Sequence, residues 1–183
     1  MKNIPNILSI FRIILVPFFV YAFLGLENIP LACGIYILAG LTDVIDGHIA
    51  RKYNLITKLG IVLDPIADIL LRLTAMATIA ISGLSFMWIV FWILLAKEIL
   101  LVLGVIFLKL KDRNIVAPAM WYSKVAGVYS FAVVLTLLSC QDILHKEAQI
   151  ALAFSALAFW VFTLIGYIFN YKDVWKNGRG ETK

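Results

Sequence analysis

Six apolar segments, each of roughly 20 residues or more, occupy almost the whole chain. In a bilayer the backbone polar groups must bond to one another within the protein, and a helix of about 20 residues spans the hydrocarbon core. Hydrophobic residues make up 63% of the 183-residue sequence, and the polar connections are short. We therefore expect a single all-α domain over residues 1–183, a polytopic membrane protein with six transmembrane helices. The segments are 7–26, 30–50, 60–83, 87–108, 116–139 and 148–170.

The basic residues are unevenly distributed along the chain, which has a net charge of +5. If the amino terminus is cytoplasmic, the outer loops hold only Lys146, and the other basic residues between segments lie inside. Cytoplasmic loops are enriched in Lys and Arg, so this bias predicts that both termini are cytoplasmic. The charge thus reflects topology and attraction to anionic lipid, and no nucleic-acid partner is expected. The inner basic residues are Lys2, Arg51, Lys52, Lys58, Lys109, Lys111, Arg113, Lys172, Lys176, Arg179 and Lys183.

A cluster of acidic residues interrupts this hydrophobic pattern: Asp43, Asp46, Asp64 and Asp68 lie within 26 residues. A carboxylate in a membrane segment is costly unless something pairs it, and four carboxylates close together repel one another. Divalent cations neutralise such a cluster, and carboxylate oxygens suit hard ions such as Mg²⁺ and Mn²⁺. The four aspartates are therefore predicted metal ligands, for two ions.

The spacing of these residues predicts two opposed helical faces. The first two aspartates, with Gly47 and Ala50, follow an i, i+3, i+4, i+7 pattern, whereas Gly60 and the later two aspartates follow i, i+4, i+8. The polar connection over residues 51–58 is short, so we expect the two helices to be antiparallel neighbours with their acidic faces together. Glycines on these faces allow close approach to the backbone, which predicts a cavity beside the carboxylates.

Such a cavity, with Arg51 beside it, has the character of a site for metal ions and a phosphate or diphosphate. Arginine binds phosphate oxygens with its planar fork of donors. Two ions about 4 Å apart would stabilise the attacking and leaving oxygens of an in-line displacement. The alternative is that the aspartates are solvated, or only form ion pairs with Arg51, Lys52 and Lys58.

The pattern resembles the signature of the CDP-alcohol phosphatidyltransferases, without a gap or mismatch. The strings Ile4-Pro5-Asn6 through Arg12 and Leu63-Asp64-Pro65 through Asp68 are also similar to the bacterial branch of that family that makes phosphatidylglycerophosphate and to the related single-domain cardiolipin synthases. Length and the six-segment layout agree, so the resemblance covers most of the chain. The matching signature is Asp43-x-x-Asp46-Gly47-x-x-Ala50-Arg51, eight residues, then Gly60-x-x-x-Asp64-x-x-x-Asp68.

The resemblance implies that an alcohol hydroxyl displaces CMP from CDP-diacylglycerol. It implies that Asp68 is both a metal ligand and the general base, and that the protein is a homodimer. The remaining implied roles are metal binding by Asp43, Asp46 and Asp64, and nucleotide or diphosphate binding by Gly47, Ala50, Arg51 and Gly60.

The acceptor follows less directly from the sequence. The branch pattern usually has Lys after the last aspartate, Ala-Arg-Glu in the fourth segment and Lys-Thr in the fifth. Here Ile69, Lys97 and the Val125–Gly127 stretch stand at those places. The favoured acceptor is glycerol 3-phosphate, and the alternatives are phosphatidylglycerol, as in cardiolipin synthesis, or another alcohol such as an inositol phosphate.

Further charges fall inside the apolar segments. A lone cation there is costly, so Lys124, with Arg72 or Arg12, is a candidate for binding the acceptor phosphate. Arg12 alternatively reaches lipid headgroups. For Glu98 the favoured interpretation is internal pairing with Arg72 or Lys97.

Two other classes of membrane protein use intramembrane aspartates. Prenyltransferases resemble longer chains with two separated Asp-rich motifs, whereas here the motifs are adjacent and the chain is short. A cation transporter would place acidic residues near the bilayer midplane on broken helices, whereas these four cluster at one end of their segments. The sequence thus favours an enzyme of a bacterial plasma membrane with its active site on the cytoplasmic side.

Overall fold

A computed structural model of the protein describes residues 4–52, 60–110, 121–141 and 143–177. Across these ranges the regular structure is entirely helical, which confirms the all-α prediction. Most helix ends lie within about three residues of the predicted apolar segments; α6 continues beyond its apolar run, and the first residues of the fifth segment, 116–120, lie outside the described residues. The helices are α1 (Ile4–Val20), α2 (Ile29–Lys52), α3 (Gly60–Ile81), α4 (Met87–Leu110), α5 (Trp121–Ser139) and α6 (Lys146–Asn177), and a π-helical turn, Tyr21–Gly25, extends α1.

Three stretches are long and apolar enough to cross a membrane by length and composition, within the described ranges. They are Asn6–Gly25, Ile29–Gly47 and Lys146–Gly166. The third helix, of 22 residues, is long enough to span a bilayer, but it carries three charged residues, Asp64, Asp68 and Arg72. Six membrane crossings and cytoplasmic termini remain predictions.

The connection between α1 and α2 is short and is stabilised by hydrogen bonds. The Leu26 amide donates to the Tyr21 carbonyl at 2.9 Å, which closes the π-helical turn. Glu27 has a φ of 52°, in the left-handed region, and so reverses the chain direction. Asn28 then accepts a hydrogen bond from the Leu31 amide at 3.0 Å, the geometry of a helix N-cap. The two helices are thereby folded against each other.

The first helix packs extensively against both α2 and α3. Direct packing of α2 on α3 is limited among the described residues, so the expected face-to-face contact is only partly right. Small buried residues on α2 and α3, among them Ala39, Ala67 and Ala75, let α1 approach both helices closely. Polar side chains of α1 meet the acidic residues of its neighbours, which the sequence pattern of α2 and α3 alone does not reveal.

A close contact between α2 and α5 completes the framework around the site. The rings of Tyr36 and Phe131 are stacked with centroids 4.6 Å apart, and Phe19 of α1 packs on Tyr36 at 5.8 Å. A Cβ atom at Gly40 would lie 2.4 Å from the Phe131 ring, so a larger residue here would force that ring to move. The remaining helices join through α3–α4, α4–α6 and α5–α6 packing.

The distribution of side chains is that of a protein surrounded by lipid. Large apolar residues such as Val44, Trp92 and Phe162 are each more than 60% exposed, whereas Ser9 and Arg12 are completely buried. Soluble proteins bury their apolar residues and expose their charges. The reversed pattern agrees with a bilayer environment, and it places the charged residues of the segments inside the helical bundle.

Candidate active site

A cavity of about 600 Å³ lies between α1, α2, α3, α5 and α6. We call it the central cavity. Its polar wall contains Arg12, Asp43, Asp68 and Arg72, and its apolar wall contains the α2–α5 aromatic contact. The first and last aspartates of the predicted cluster therefore face one space, together with two guanidinium groups.

The first helix contributes a buried cation to this space. Arg12 Nη2 donates to Asp46 Oδ2 at 2.6 Å, and Nη1 lies 2.7 Å from Asp43 Oδ1. The Arg12 side chain is 0% exposed, and that of Asp46 is 3% exposed. The free-energy cost of burying these charges is offset because one cation bridges two carboxylates at successive turns of α2. Of the two alternatives for Arg12, the structure places it in the cavity.

The third aspartate is bonded to the same helix. The Ser9 hydroxyl donates to Asp64 Oδ1, and Ser9 is completely buried. Asn6, Ser9 and Arg12 are spaced three residues apart, which places all three on one buried polar side of α1. This side of α1 thus joins α2 to α3 through three of the four aspartates.

The fourth aspartate belongs to a second charged group, which runs from α3 to α4. Arg72 Nη2 donates to Asp68 Oδ2, one helical turn earlier on α3, and Nη1 donates to Glu98 Oε1 at 3.2 Å. The same Glu98 oxygen lies 2.8 Å from Lys97 Nζ. The predicted internal pairing of Glu98 is therefore confirmed, with both candidate partners.

An indole ring from α6 completes this second group. Arg72 Cζ lies 4.6 Å from the centroid of the Trp160 ring, and Lys97 Nζ lies 3.8 Å from it. Trp160 is 7% exposed and lines the central cavity. Cations near an indole face are stabilised by the ring quadrupole, more strongly where water is excluded. Trp160 therefore helps to keep two cations inside the bundle.

Several of the predicted site residues meet at the cavity, and others do not line it. Asp43, Gly47 and Asp68 line the wall, as do Arg12 and Arg72. Asp46 lies behind Arg12, Asp64 is half-buried beside Ser9, and Gly60 is buried at the start of α3. The side chains of Ala50, Arg51 and Lys124 lie outside the part of the structure that is described.

The donor chemistry of the site fits Mg²⁺ or Mn²⁺. Over the described residues, no three acidic, histidine or cysteine side chains are close enough to share one ion. Mg²⁺ does not need such a group, because it usually takes one or two carboxylates and completes its shell with water and substrate phosphates. Asp43 and Asp68, from two helices, face one cavity and provide hard oxygen donors of that kind.

The site also has donors suited to an anion. Arg12 Nε is buried and has no hydrogen-bond partner among the residues described. An unpaired buried donor is costly, and a phosphate oxygen is the acceptor that best matches a guanidinium group. Carboxylates and guanidiniums around one cavity can therefore accommodate a metal-bound phosphate or diphosphate.

Sequence reasoning missed three contributors to this site. Ser9 had a usable signal, since Asn6, Ser9 and Arg12 recur with helical spacing in an otherwise apolar segment. Tyr36 and Trp160 had none, because nothing in the sequence distinguishes these aromatic residues from the others that face lipid.

The chain is similar over most of its length to a known protein family and to several bacterial proteins. The profile of the CDP-alcohol phosphatidyltransferase family matches residues 2–168. A Sodalis glossinidius protein named CDP-diacylglycerol–glycerol-3-phosphate 3-phosphatidyltransferase is 34% identical over 169 residues, covering 86% of this chain and 90% of the relative. A protein of the same name from Escherichia coli K12 is 32% identical over 175 residues, covering 91% and 93%. One from Haemophilus influenzae is 39% identical over 124 residues, covering 65% and 66%.

Proposed function

This chain belongs to the CDP-alcohol phosphatidyltransferase family, and we propose that it transfers the phosphatidyl group of CDP-diacylglycerol to glycerol 3-phosphate, with release of CMP. The observation that carries the proposal is the central cavity, where aspartates from both halves of the family signature meet two arginines. The choice of glycerol 3-phosphate is supported by the names of relatives that align over most of the chain.

In the proposed reaction the acceptor hydroxyl oxygen forms a bond to the phosphatidyl phosphorus. The bond between that phosphorus and the oxygen bridging it to CMP breaks, and CMP leaves with the bond electrons. Asp68 accepts the hydroxyl proton as the general base. Its position on the cavity wall beside Arg72 supports this role, because the base must face the reacting hydroxyl.

Members of the family generally use divalent metal ions. In this proposal Asp43, Asp46, Asp64 and Asp68 would hold two Mg²⁺ or Mn²⁺ ions. The metal supplies positive charge that stabilises the diphosphate and the departing CMP. Ser9 and Arg12 orient three of these carboxylates from α1.

The nucleotide and acceptor sites are assigned on either side of the aspartates. Gly47, on the cavity wall, is the proposed contact for the nucleotide. Arg72 is the acceptor-phosphate contact best supported by geometry, because its guanidinium lines the cavity next to the proposed base. Arg12 is proposed to assist it with its unpaired Nε. The other proposed contacts are Ala50, Arg51 and Gly60 for the nucleotide and Lys124 for the acceptor.

The chain is proposed to cross a bacterial plasma membrane six times as a homodimer, with both termini and the active site on the cytoplasmic side. Its apolar helices and bacterial relatives support the membrane location. The excess of Lys and Arg in and beside the connections between α2 and α3 and between α4 and α5 supports the orientation.

The test is incubation of the purified protein with CDP-diacylglycerol, Mg²⁺ and one acceptor at a time, with CMP and lipid products measured by mass spectrometry. Phosphatidylglycerophosphate is the expected product with glycerol 3-phosphate. If only phosphatidylglycerol is consumed, the protein is instead a cardiolipin synthase. If only inositol phosphate is consumed, it belongs to another branch of the family. Absence of CMP release with every acceptor would contradict the proposed reaction, and ion flux in vesicles would then favour a transporter.

A further inference from the structure

We propose that Glu98 is a positioning residue for the transfer reaction, acting through Arg72 on the proposed base, Asp68. The proposal rests on the function proposed above. Glu98 lies on α4 and is not part of the cavity wall, so it does not act by touching substrate. It shares the Arg72 guanidinium with Asp68, and so limits how fully Arg72 neutralises that aspartate.

The first support is the geometry of Arg72. Its Nη1 donates to Glu98 on α4 at 3.2 Å, whereas Nη2 donates to Asp68 on α3. The face of Trp160, on α6, lies 4.6 Å from the guanidinium carbon. A planar fork held by two carboxylates and an indole has little freedom to rotate. Three helices thus determine where this cation points.

The second support is the local balance of charge. Arg72 and Lys97 are two cations in the bundle interior, and Glu98 is the acidic group that contacts both of them. When a buried cation loses its partner, it pairs with another carboxylate, or the folded protein becomes much less stable. Without Glu98, the nearest carboxylate for Arg72 in the described structure is Asp68. Arg72 would then pair with Asp68 alone, in competition with the metal and the acceptor proton.

A purely structural role for Glu98 makes a different prediction. Loss of a buried ion pair would lower the fraction of folded protein, and the surviving molecules would bind metal and acceptor normally. A positioning role changes affinities in the folded molecules, and it does so only when Arg72 is present. These two outcomes can be separated by measuring affinities in two backgrounds.

The experiment compares Glu98→Gln, Glu98→Asp, Arg72→Gln and the Arg72→Gln/Glu98→Gln double variant with the wild type, all purified in detergent. Glu147→Gln is the matched control, since Glu147 is exposed at the start of α6. Mn²⁺ affinity is measured by electron paramagnetic resonance, and the KM values for glycerol 3-phosphate and CDP-diacylglycerol by CMP release. If Glu98→Gln does not fold, Lys97→Gln/Glu98→Gln replaces it, because that pair removes one charge of each sign.

We expect Glu98→Gln to weaken Mn²⁺ binding and raise the KM for glycerol 3-phosphate, each by about tenfold, a usual loss for a residue that orients a metal ligand. At saturating Mn²⁺, the KM for CDP-diacylglycerol should change less than about twofold, since the lost contact is on the acceptor side. Glu98→Asp should recover part of the loss. In the Arg72→Gln background the same change should have no further effect.

The proposal is overturned if Glu98→Gln lowers only the maximal rate, with Mn²⁺ affinity and KM unchanged. It is also overturned if the change has the same effect with and without Arg72. Failure of the proposed function has a separate signature: the wild type would release no CMP with glycerol 3-phosphate. The Mn²⁺ affinities would still decide the role of Glu98 in that case.

Discussion

At the scale of single residues, the site depends on cations that keep its carboxylates inside the bundle. Arg12 is the clearest case, because it is completely buried and bridges Asp43 and Asp46. The same guanidinium ties α1 to α2, so it contributes to folding as well as to the site. Its removal leaves two aspartates uncompensated in a membrane segment.

Arg12→Met should therefore destabilise the protein by about 3–5 kcal/mol, the usual cost of removing one partner of a buried ion pair. The measurement is denaturant unfolding in detergent. Arg12→Lys is the control, since it keeps the charge and loses the fork that reaches both carboxylates. Equal unfolding midpoints for Arg12→Met and the wild type would show that the ion pairs contribute nothing to stability.

The aspartates should differ in what their removal affects. Asp68→Asn should abolish most turnover while CDP-diacylglycerol still binds, because a base is needed for the chemical step and not for binding the lipid. Asp43→Asn and Asp46→Asn should weaken metal and nucleotide binding together. Lipid binding by each variant is measured in detergent alongside CMP release. Equal loss of lipid affinity in all three would mean that base and ligand roles cannot be separated.

At the scale of elements, the sequence was sufficient to predict the helices because hydropathy and helix length are local properties. Of the four aspartates that the spacing predicted around one cavity, Asp43 and Asp68 do face one space, whereas Asp46 and Asp64 do not line it. The position of α1 between its neighbours was not predicted. Apolar helices offer several equivalent packing surfaces, and the choice depends on small residues and buried polar pairs on different helices.

Two glycines, one on α2 and one on α5, allow a test of the packing between these two helices. Gly40→Ala should destabilise the α2–α5 contact by about 1–3 kcal/mol, since the new methyl group would overlap the Phe131 ring. Gly127→Ala is the control, because a Cβ there meets no atom within 4 Å. That variant should fold at least as well as the wild type, since alanine favours the helix by about 1 kcal/mol. The measurement is the melting temperature of each variant. An equal decrease in both variants would contradict the α2–α5 packing described.

At the scale of the whole molecule, charged side chains of the apolar segments lie inside the helical bundle, and many large apolar side chains lie on its surface. The same apolar helices that suit a membrane also form the walls of the site. Asp43 and Asp46 lie toward the C-terminal end of α2, and Asp64 and Asp68 lie in the first turns of α3. In the proposed orientation, a site at these helix ends would receive the lipid laterally and the water-soluble acceptor from the cytoplasm.

The proposed orientation predicts that a fluorescent protein fused after Lys183 will fluoresce, because it folds in the cytoplasm. A fusion after His145, in the connection between α5 and α6, should remain dark. The fluorescence of cells expressing each fusion in matched amounts gives the answer. A bright signal at His145 with a dark signal at Lys183 would reverse the topology and put the active site outside.

The central claim is that this chain transfers a phosphatidyl group by a metal-dependent displacement of CMP. The most direct measurement is CMP release by the purified protein with CDP-diacylglycerol, omitting glycerol 3-phosphate or the divalent ion in turn. We predict one CMP for each phosphatidylglycerophosphate formed, and no release when either component is missing, because four clustered aspartates need a cation before they can receive a diphosphate. Full turnover in excess chelator, or CMP release without a lipid product, would contradict the claim.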